Sequence, residues 1–188
     1  METGAAPQVH SIGIIRDHAI VCAGPLFWDV AKLLTGADAR DAWTWDDDAN
    51  ATIYAVPLKP GRPVETYAAP PFFAFHHVNA WNEDGEIVFD VLVNENITSK
   101  DADPAAVFAR DVLADPSRRD VLGAGHLGRL TRYSLPRGGG TARVTQLDAP
   151  GAELPAVSDA VVGQPRAAAR YLGGRRIRVV VAAQHVSN

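Results

Sequence analysis

Six histidines have the widest chemical reach in this 188-residue chain: His10, His18, His76, His77, His126 and His185. A neutral imidazole is a common ligand for iron, zinc, copper and nickel. No two of the six stand at the spacing of a local metal motif. There is no H-E-x-x-H and no C-x-x-C, so a metal centre would have to be assembled from distant strands. Taken singly, each histidine is more often a packing residue than a ligand. Other chemistries lack their signatures. Gly138-Gly139-Gly140 has no Lys-Ser or Lys-Thr after it, as a phosphate loop requires, and no G-x-S-x-G elbow is present. The run Asp46-Asp47-Asp48 reads as a solvated loop rather than a cation site.

Strand geometry separates the two adjacent histidines. If Phe73 to Val78 is extended, its side chains alternate between faces. Phe73, Phe75 and His77 then share one face, and Ala74, His76 and Val78 the other. His76 and His77 cannot both reach one metal. His76 has small neighbours that leave room for an ion, whereas His77, beside two phenylalanines, reads as a packed structural residue.

The elements around these residues are short and strand-like. Val9 to Ile15 and His18 to Ala23 are apolar, β-branched runs joined by Arg16-Asp17. Phe27 to Leu34 has helical spacing and stops at Gly36, which predicts one or two helical turns. Thr52 to Leu58 and Val64 to Ala68 read as strands around Pro60-Gly61. The plainest unit is a hairpin in which Phe73 to Trp81 and Glu86 to Val93 flank Asn82-Glu83-Asp84-Gly85. Asp103 to Leu113 reads as a helix with Asp at its N-cap and Pro at its first turn. Leu127 to Leu135 and Thr141 to Leu147 form a last pair. Many short strands with turns between them predict an all-β sandwich, barrel or propeller. Residues 166–188, rich in Ala, Arg and Val, fit that scheme poorly and read as a separate tail, either a terminal strand over Arg176 to Ala183 or a piece that does not belong to the fold.

Composition sets outer bounds. Apolar residues make up 47% and charged residues 21%, the balance of a soluble globular protein, and the net charge of −4 argues against nucleic acid as a partner. The single cysteine, Cys22, forbids an internal disulfide and reads as a small buried residue in a strand. No apolar run is long enough to span a membrane, and no secretory signal opens the chain, so the expected location is cytoplasmic. Composition leaves peripheral membrane contact open.

One segment is distinctive. Phe73-Ala74-Phe75-His76-His77-Val78-Asn79-Ala80-Trp81, followed by Glu83-Asp84-Gly85 and Ile87-Val88-Phe89-Asp90-Val91, resembles the F-x-F-H-H-x-N-A…D-G…D stretch of the carotenoid cleavage oxygenases. Val9-His10-Ser11-Ile12-Gly13-Ile14 resembles the strand carrying that family's second iron ligand. Pro25-Leu26-Phe27-Trp28-Asp29 is similar to the loop after it, and Leu127 to Tyr133 and Glu153-Leu154-Pro155 to later strands. The resemblance covers about Val9 to Gln164, which sets a domain over residues 1–165.

The resemblance implies a seven-bladed β-propeller, here a partial one, with ferrous iron on its axis held by four histidines. By position, His10 would be the second ligand and His76 the third. Glu153 would orient the imidazole of His76, since a ligating histidine donates its other N–H to an acceptor. The activity implied is cleavage of a C=C bond by O₂ in a carotenoid, apocarotenoid or stilbene-like substrate. Phe72, Phe73, Phe75 and Trp81 would line the pocket or, on the safer reading, the core. The other two ligands have no counterpart, so the sequence is expected to be a truncated family member, active or inactive. Blade edges left uncovered would then favour self-association. The alternatives are a non-catalytic propeller fragment or interaction remnant, and an unrelated β-sandwich binding domain.

Overall fold

Period-2 burial along short segments produces strands, and the strands gather into small sheets. The structure, a computed structural model, describes residues 5–37, 41–94, 128–148 and 153–181, except 159, 161, 165–167 and 174–175. Its strands are β1 (Ala5–Pro7), β2 (Gly13–Ile14), β3 (His18–Ala23), β4 (Leu26–Asp29), β5 (Trp43–Trp45), β6 (Ala51–Pro57), β7 (Glu65–Ala69) and β8 (His77–Glu83). There follow β9 (Glu86–Val93), β10 (Arg129–Leu135), β11 (Gly140–Thr141), β12 (Arg143–Gln146), β13 (Glu153–Val157), β14 (Ala168–Gly173) and β15 (Arg176–Val181). The helix α1 (Val30–Leu34) is capped by the Asp29 side chain, which accepts from the Lys32 N–H.

Four sheets result, in the orders β1-β4-β5, β11-β7-β6-β3-β2, β12-β10-β9-β8 and β13-β14-β15. All pairings are antiparallel except that of β11 with β7. The hairpin β8–β9 turns at Asp84 (φ 49°) and Gly85 (φ 83°), two left-handed residues whose twist matches that of the flanking strands. The turn after β10 reaches across to the next sheet. There β11 adds a parallel edge to β7, and Glu65 accepts from the Gly138 N–H at 3.1 Å.

The main core lies between the five-stranded and four-stranded sheets. Ile20, Ile53 and Tyr67 meet Phe89, Val91 and Leu135 there, all essentially without exposure. The chain buries β9 on both faces, because Leu92 and Leu130 pack on its far side. Asp90 lies on that far face and takes two hydrogen bonds from Arg132, at 2.8 and 2.9 Å. The Arg132 guanidinium in turn sits 4.8 Å over the Trp81 ring. Phe72, Tyr133 and Phe89 stack in a column with ring separations of 4.9 and 5.2 Å. Phe72, Phe73, Phe75 and Trp81 are all buried. Among the described residues no helix is long and apolar enough to cross a membrane.

Several expectations need correction. Only Gly13–Ile14 of Val9 to Ile15 is strand, and residues 8–12 are irregular. The segment Phe27 to Leu34 is not one helical stretch. Its first half is β4, paired on both sides with β1 and β5, which the sequence did not mark as strands. The expected helix over Asp103 to Leu113 lies outside the described residues. Within the tail, the described residues of the expected terminal strand form β15, which pairs with β14, which pairs with β13, and Ala182 and Ala183 lie outside the described residues.

One contact lets the two halves of the core close. A Cβ built on Gly24, between β3 and β4, would stand 2.1 Å from the Phe72 carbonyl oxygen. Gly24→Ala therefore destabilises the fold by roughly 1–3 kcal/mol through overpacking against backbone, measured as a drop in the urea midpoint. An unchanged midpoint would show that this approach is not held in solution.

Candidate metal centre

The two histidines singled out as ligands lie on irregular backbone, so isolated backbone bonds and side-chain contacts rather than continuous ladders place them. His10 sits in residues 8–12, where the Gln8 N–H donates to the Leu26 carbonyl at 2.8 Å and the Trp28 indole N–H to the Gln8 side chain. His76 closes residues 72–76, which run irregularly into β8. That run is pinned by the exchange of backbone bonds between Phe73 and Asn94 and by the Leu92 N–H donating to the His76 carbonyl at 3.1 Å.

The fold brings these imidazoles together across sixty-six positions of sequence. Their ring centres are 5.3 Å apart and nearly perpendicular, at 85°. Two imidazoles bound to one ion at about 2.0–2.1 Å would have their centres roughly 5 Å apart. His10 is exposed and His76 half-buried. His10 Nδ1 lies 2.8 Å from the Phe75 carbonyl oxygen. A carbonyl only accepts, so Nδ1 carries the proton and Nε2 of the neutral ring keeps its lone pair. That is the tautomer a metal needs. The residues thus fit a metal as two neighbouring donors. Among the described residues, no group of three or more His, Cys, Asp or Glu gathers there.

His77 has other work, and its placement corrects the alternation argument. The parity of a strand holds from Phe72 to Phe75: Phe72 and Ala74 face the main core, while Phe73 and Phe75 pack with Leu26. It then breaks at the irregular residues before His77, where β8 begins. His77 therefore does not lie with Phe73 and Phe75. Its ring meets Phe89 at 5.6 Å, extending the aromatic column, and its nitrogens meet Ser11 Oγ at 2.9 Å and Cys22 Sγ at 3.6 Å. The Ser11 hydroxyl oxygen also accepts the His77 backbone N–H at 3.0 Å. Burial, with His76 adding a smaller push, moves the His77 imidazole down to about 4. Gly13 leaves space for this ring, since a Cβ there would stand 3.2 Å from His77 Cδ2.

The matching family model is that of RPE65, the retinal pigment epithelial membrane protein, over residues 2–177. The chain belongs to this carotenoid oxygenase family. It is 31% identical over 104 residues to the mitochondrial carotenoid-cleaving dioxygenase of Macaca fascicularis, covering 50% of this chain and 18% of that protein. It is 32% identical over 92 residues to the human β,β-carotene 15,15′-dioxygenase, covering 46% of this chain and 17% of the relative. A variant of the Synechocystis apocarotenoid oxygenase superposes with a TM-score of 0.70 at 20% identity, over 92% of this chain and 34% of that one. The cobalt-substituted form of that oxygenase gives 0.67, over 95% and 39%. The chain thus spans about a third of the solved carotenoid oxygenases and under a fifth of the curated relatives it matches. Its four sheets are part of the β-propeller of this family.

The remaining candidates fall elsewhere in this partial propeller. Glu153 opens β13, opposite Leu172 of β14, and its side chain lies outside the described part of the structure. The stretch after β13 is tied to β8 through Asn79, whose amide donates to the Gln164 carbonyl and accepts from the Gly163 N–H, both at 3.0 Å. His18 is placed 3.2 Å from Asp17, away from the pair. Asp46, Asp47 and Asp48 are exposed, with Asp46 accepting from the Asp48 N–H. His126 and His185 lie outside the described residues. Sequence reasoning gave Ser11 and Asn79 no role. Asn79 stands inside the quoted motif, which was a usable signal, and Ser11 had only its place beside His10.

Cys22 is a buried strand residue, as its sequence suggests, and burial pushes its thiol up to about 12 from 9.0. The unfolded thiol ionises first, so rising pH favours the unfolded chain between those values. From about pH 8 to about pH 10.5, the stability of Cys22→Ala relative to wild type should rise by about 2 kcal/mol in urea melts. A constant difference would mean that the thiol reaches water.

Proposed function

We propose that this chain supplies two of the histidine ligands, His10 and His76, to the iron centre of a carotenoid-cleavage dioxygenase. The observation that carries the reading is the convergence of their rings at 5.3 Å, with His10 Nδ1 committed to the Phe75 carbonyl. Ferrous iron held there would supply the redox chemistry by which one O₂ and one C=C bond become two carbonyl groups. The chain's own part is to hold two neutral imidazoles side by side and to keep their surroundings apolar. Phe75 lies edge-on to His10 at 5.3 Å, with Phe73, Leu26 and the partly buried Trp43 and Trp45 behind it. Such walls suit a polyene or stilbene-like alkene better than a polar substrate. Glu153 is our candidate for holding the outer nitrogen of His76, as ligating histidines require of a neighbour.

Two imidazoles fill only part of a coordination sphere, so binding by this chain should be weak. Anaerobic titration with ferrous iron is expected to saturate at one ion per chain, and His10→Ala and His76→Ala should each abolish it. Addition of a stilbene or apocarotenoid to the loaded protein should start O₂ uptake. Binding that survives both substitutions, or a wild type that takes up no iron, would defeat the assignment. Iron binding without alkene-dependent O₂ uptake would mark a metal-holding but non-catalytic propeller fragment.

A further inference from the structure

The segments carrying His10 and His76 are both irregular, and a pair of neighbouring ties joins them. His10 donates from Nδ1 to the carbonyl of Phe75, the residue before His76. Ser11 accepts the backbone N–H of His77, the residue after it, and also bonds His77 Nδ1. His76 is thereby bracketed on both sides by the segment that carries His10. The far end of the bracket is anchored twice. Phe89 stacks on the His77 ring, and Cys22 closes on its other nitrogen. The Ser11 oxygen grips both the backbone and the side chain of His77.

We propose that Ser11, through His77, is the positioning residue that sets the separation of the His10 and His76 imidazoles. This rests on the reading of those two as metal ligands. Ser11 touches no metal or substrate. Its hydroxyl fixes the backbone and the ring immediately after His76, and with them the direction in which His76 leaves the chain. A ligand pair held on irregular backbone, with only isolated backbone bonds such as that from the Leu92 N–H to the His76 carbonyl, has little to restore it when such a tie is cut.

The test uses the full 188-residue chain with Co(II) as a spectroscopic probe for the site. Ser11→Val and Ser11→Thr have the same shape and differ in the hydroxyl. Ser11→Val is expected to weaken Co(II) binding about tenfold to a hundredfold, the usual loss when a partner of a ligand is removed. Ser11→Thr should restore both the affinity and the visible absorption of bound Co(II). In the metal-free protein, the imidazole NMR signals of His10 and His76 should shift in Ser11→Val and return in Ser11→Thr. Equal affinities and unmoved imidazole signals in the two variants would overturn the role of Ser11 and leave the ligand assignment standing. Wild-type Co(II) binding unaffected by His10→Ala and His76→Ala would overturn the ligand assignment and this inference together. Should Ser11→Val not fold, Ser11→Ala against Ser11→Thr gives the same comparison.

Discussion

Everything at this site depends on how two stretches without secondary structure satisfy their backbone polar groups. Residues 8–12 and 72–76 have only scattered backbone pairings, yet they pack against buried neighbours, where an unpaired N–H or C=O costs on the order of 1–3 kcal/mol. The Phe75 carbonyl accepts a hydrogen bond from the His10 ring, and the His77 N–H donates one to the Ser11 oxygen. The same two bonds that settle this debt fix the imidazoles of His10 and His76 against each other. Stability and site geometry are therefore one requirement here. A carbonyl that needs a donor selects the His10 tautomer whose Nε2 lone pair is left for a metal.

Those bonds would be loose without the packing behind them. The column from Phe72 through Tyr133 and Phe89 to His77 runs under the segment that carries His76 and holds both of its ends. The Phe72 carbonyl fits against Gly24, and the His77 ring against Gly13, so the absence of two Cβ atoms lets the sheets approach. Asp90 shows a similar economy on the other face of β9. Burial holds its carboxyl above the ordinary range, and Arg132 answers with a bidentate pair beneath Trp81. Removing one member would strand a buried charge, which is far costlier than never having had the pair.

The strand-rich class and the central hairpin were legible because their signals are local. Asp84-Gly85 announces a turn needing two left-handed residues, and His18 to Ala23 shows the alternation of a half-buried strand. The short edge strands β1 and β5 carry too few residues for any period to show. Around Leu26 the apolar residues happened to suit a helix. For the site, the family motif pointed to His10 and His76 and the structure brings them together, but the alternation argument used to separate His76 from His77 assumed a regular strand that is not there. The irregular backbone just before β8 shifts the parity after Phe75, so His77 turns to Phe89 instead of joining Phe73 and Phe75. Ser11 was invisible for a different reason. Its partner is sixty-six positions away, and nothing in a serine beside a histidine specifies that contact.

The adjacent histidines divide the labour by environment alone. His77 has both ring nitrogens engaged, by Ser11 and by Cys22, and burial moves its imidazole down to about 4. It therefore stays uncharged at neutral pH and has no lone pair to offer a metal. On the proposed reading, a neutral His77 spares an ion at His76 the repulsion of a second positive charge one residue away. His76, half-buried, faces the exposed ring of His10. The chemistry of imidazole is the same at both positions. One is made into a brace and the other into a candidate ligand by the residues that reach them, and among those residues Ser11 is the one that touches the brace from the segment of the other candidate ligand.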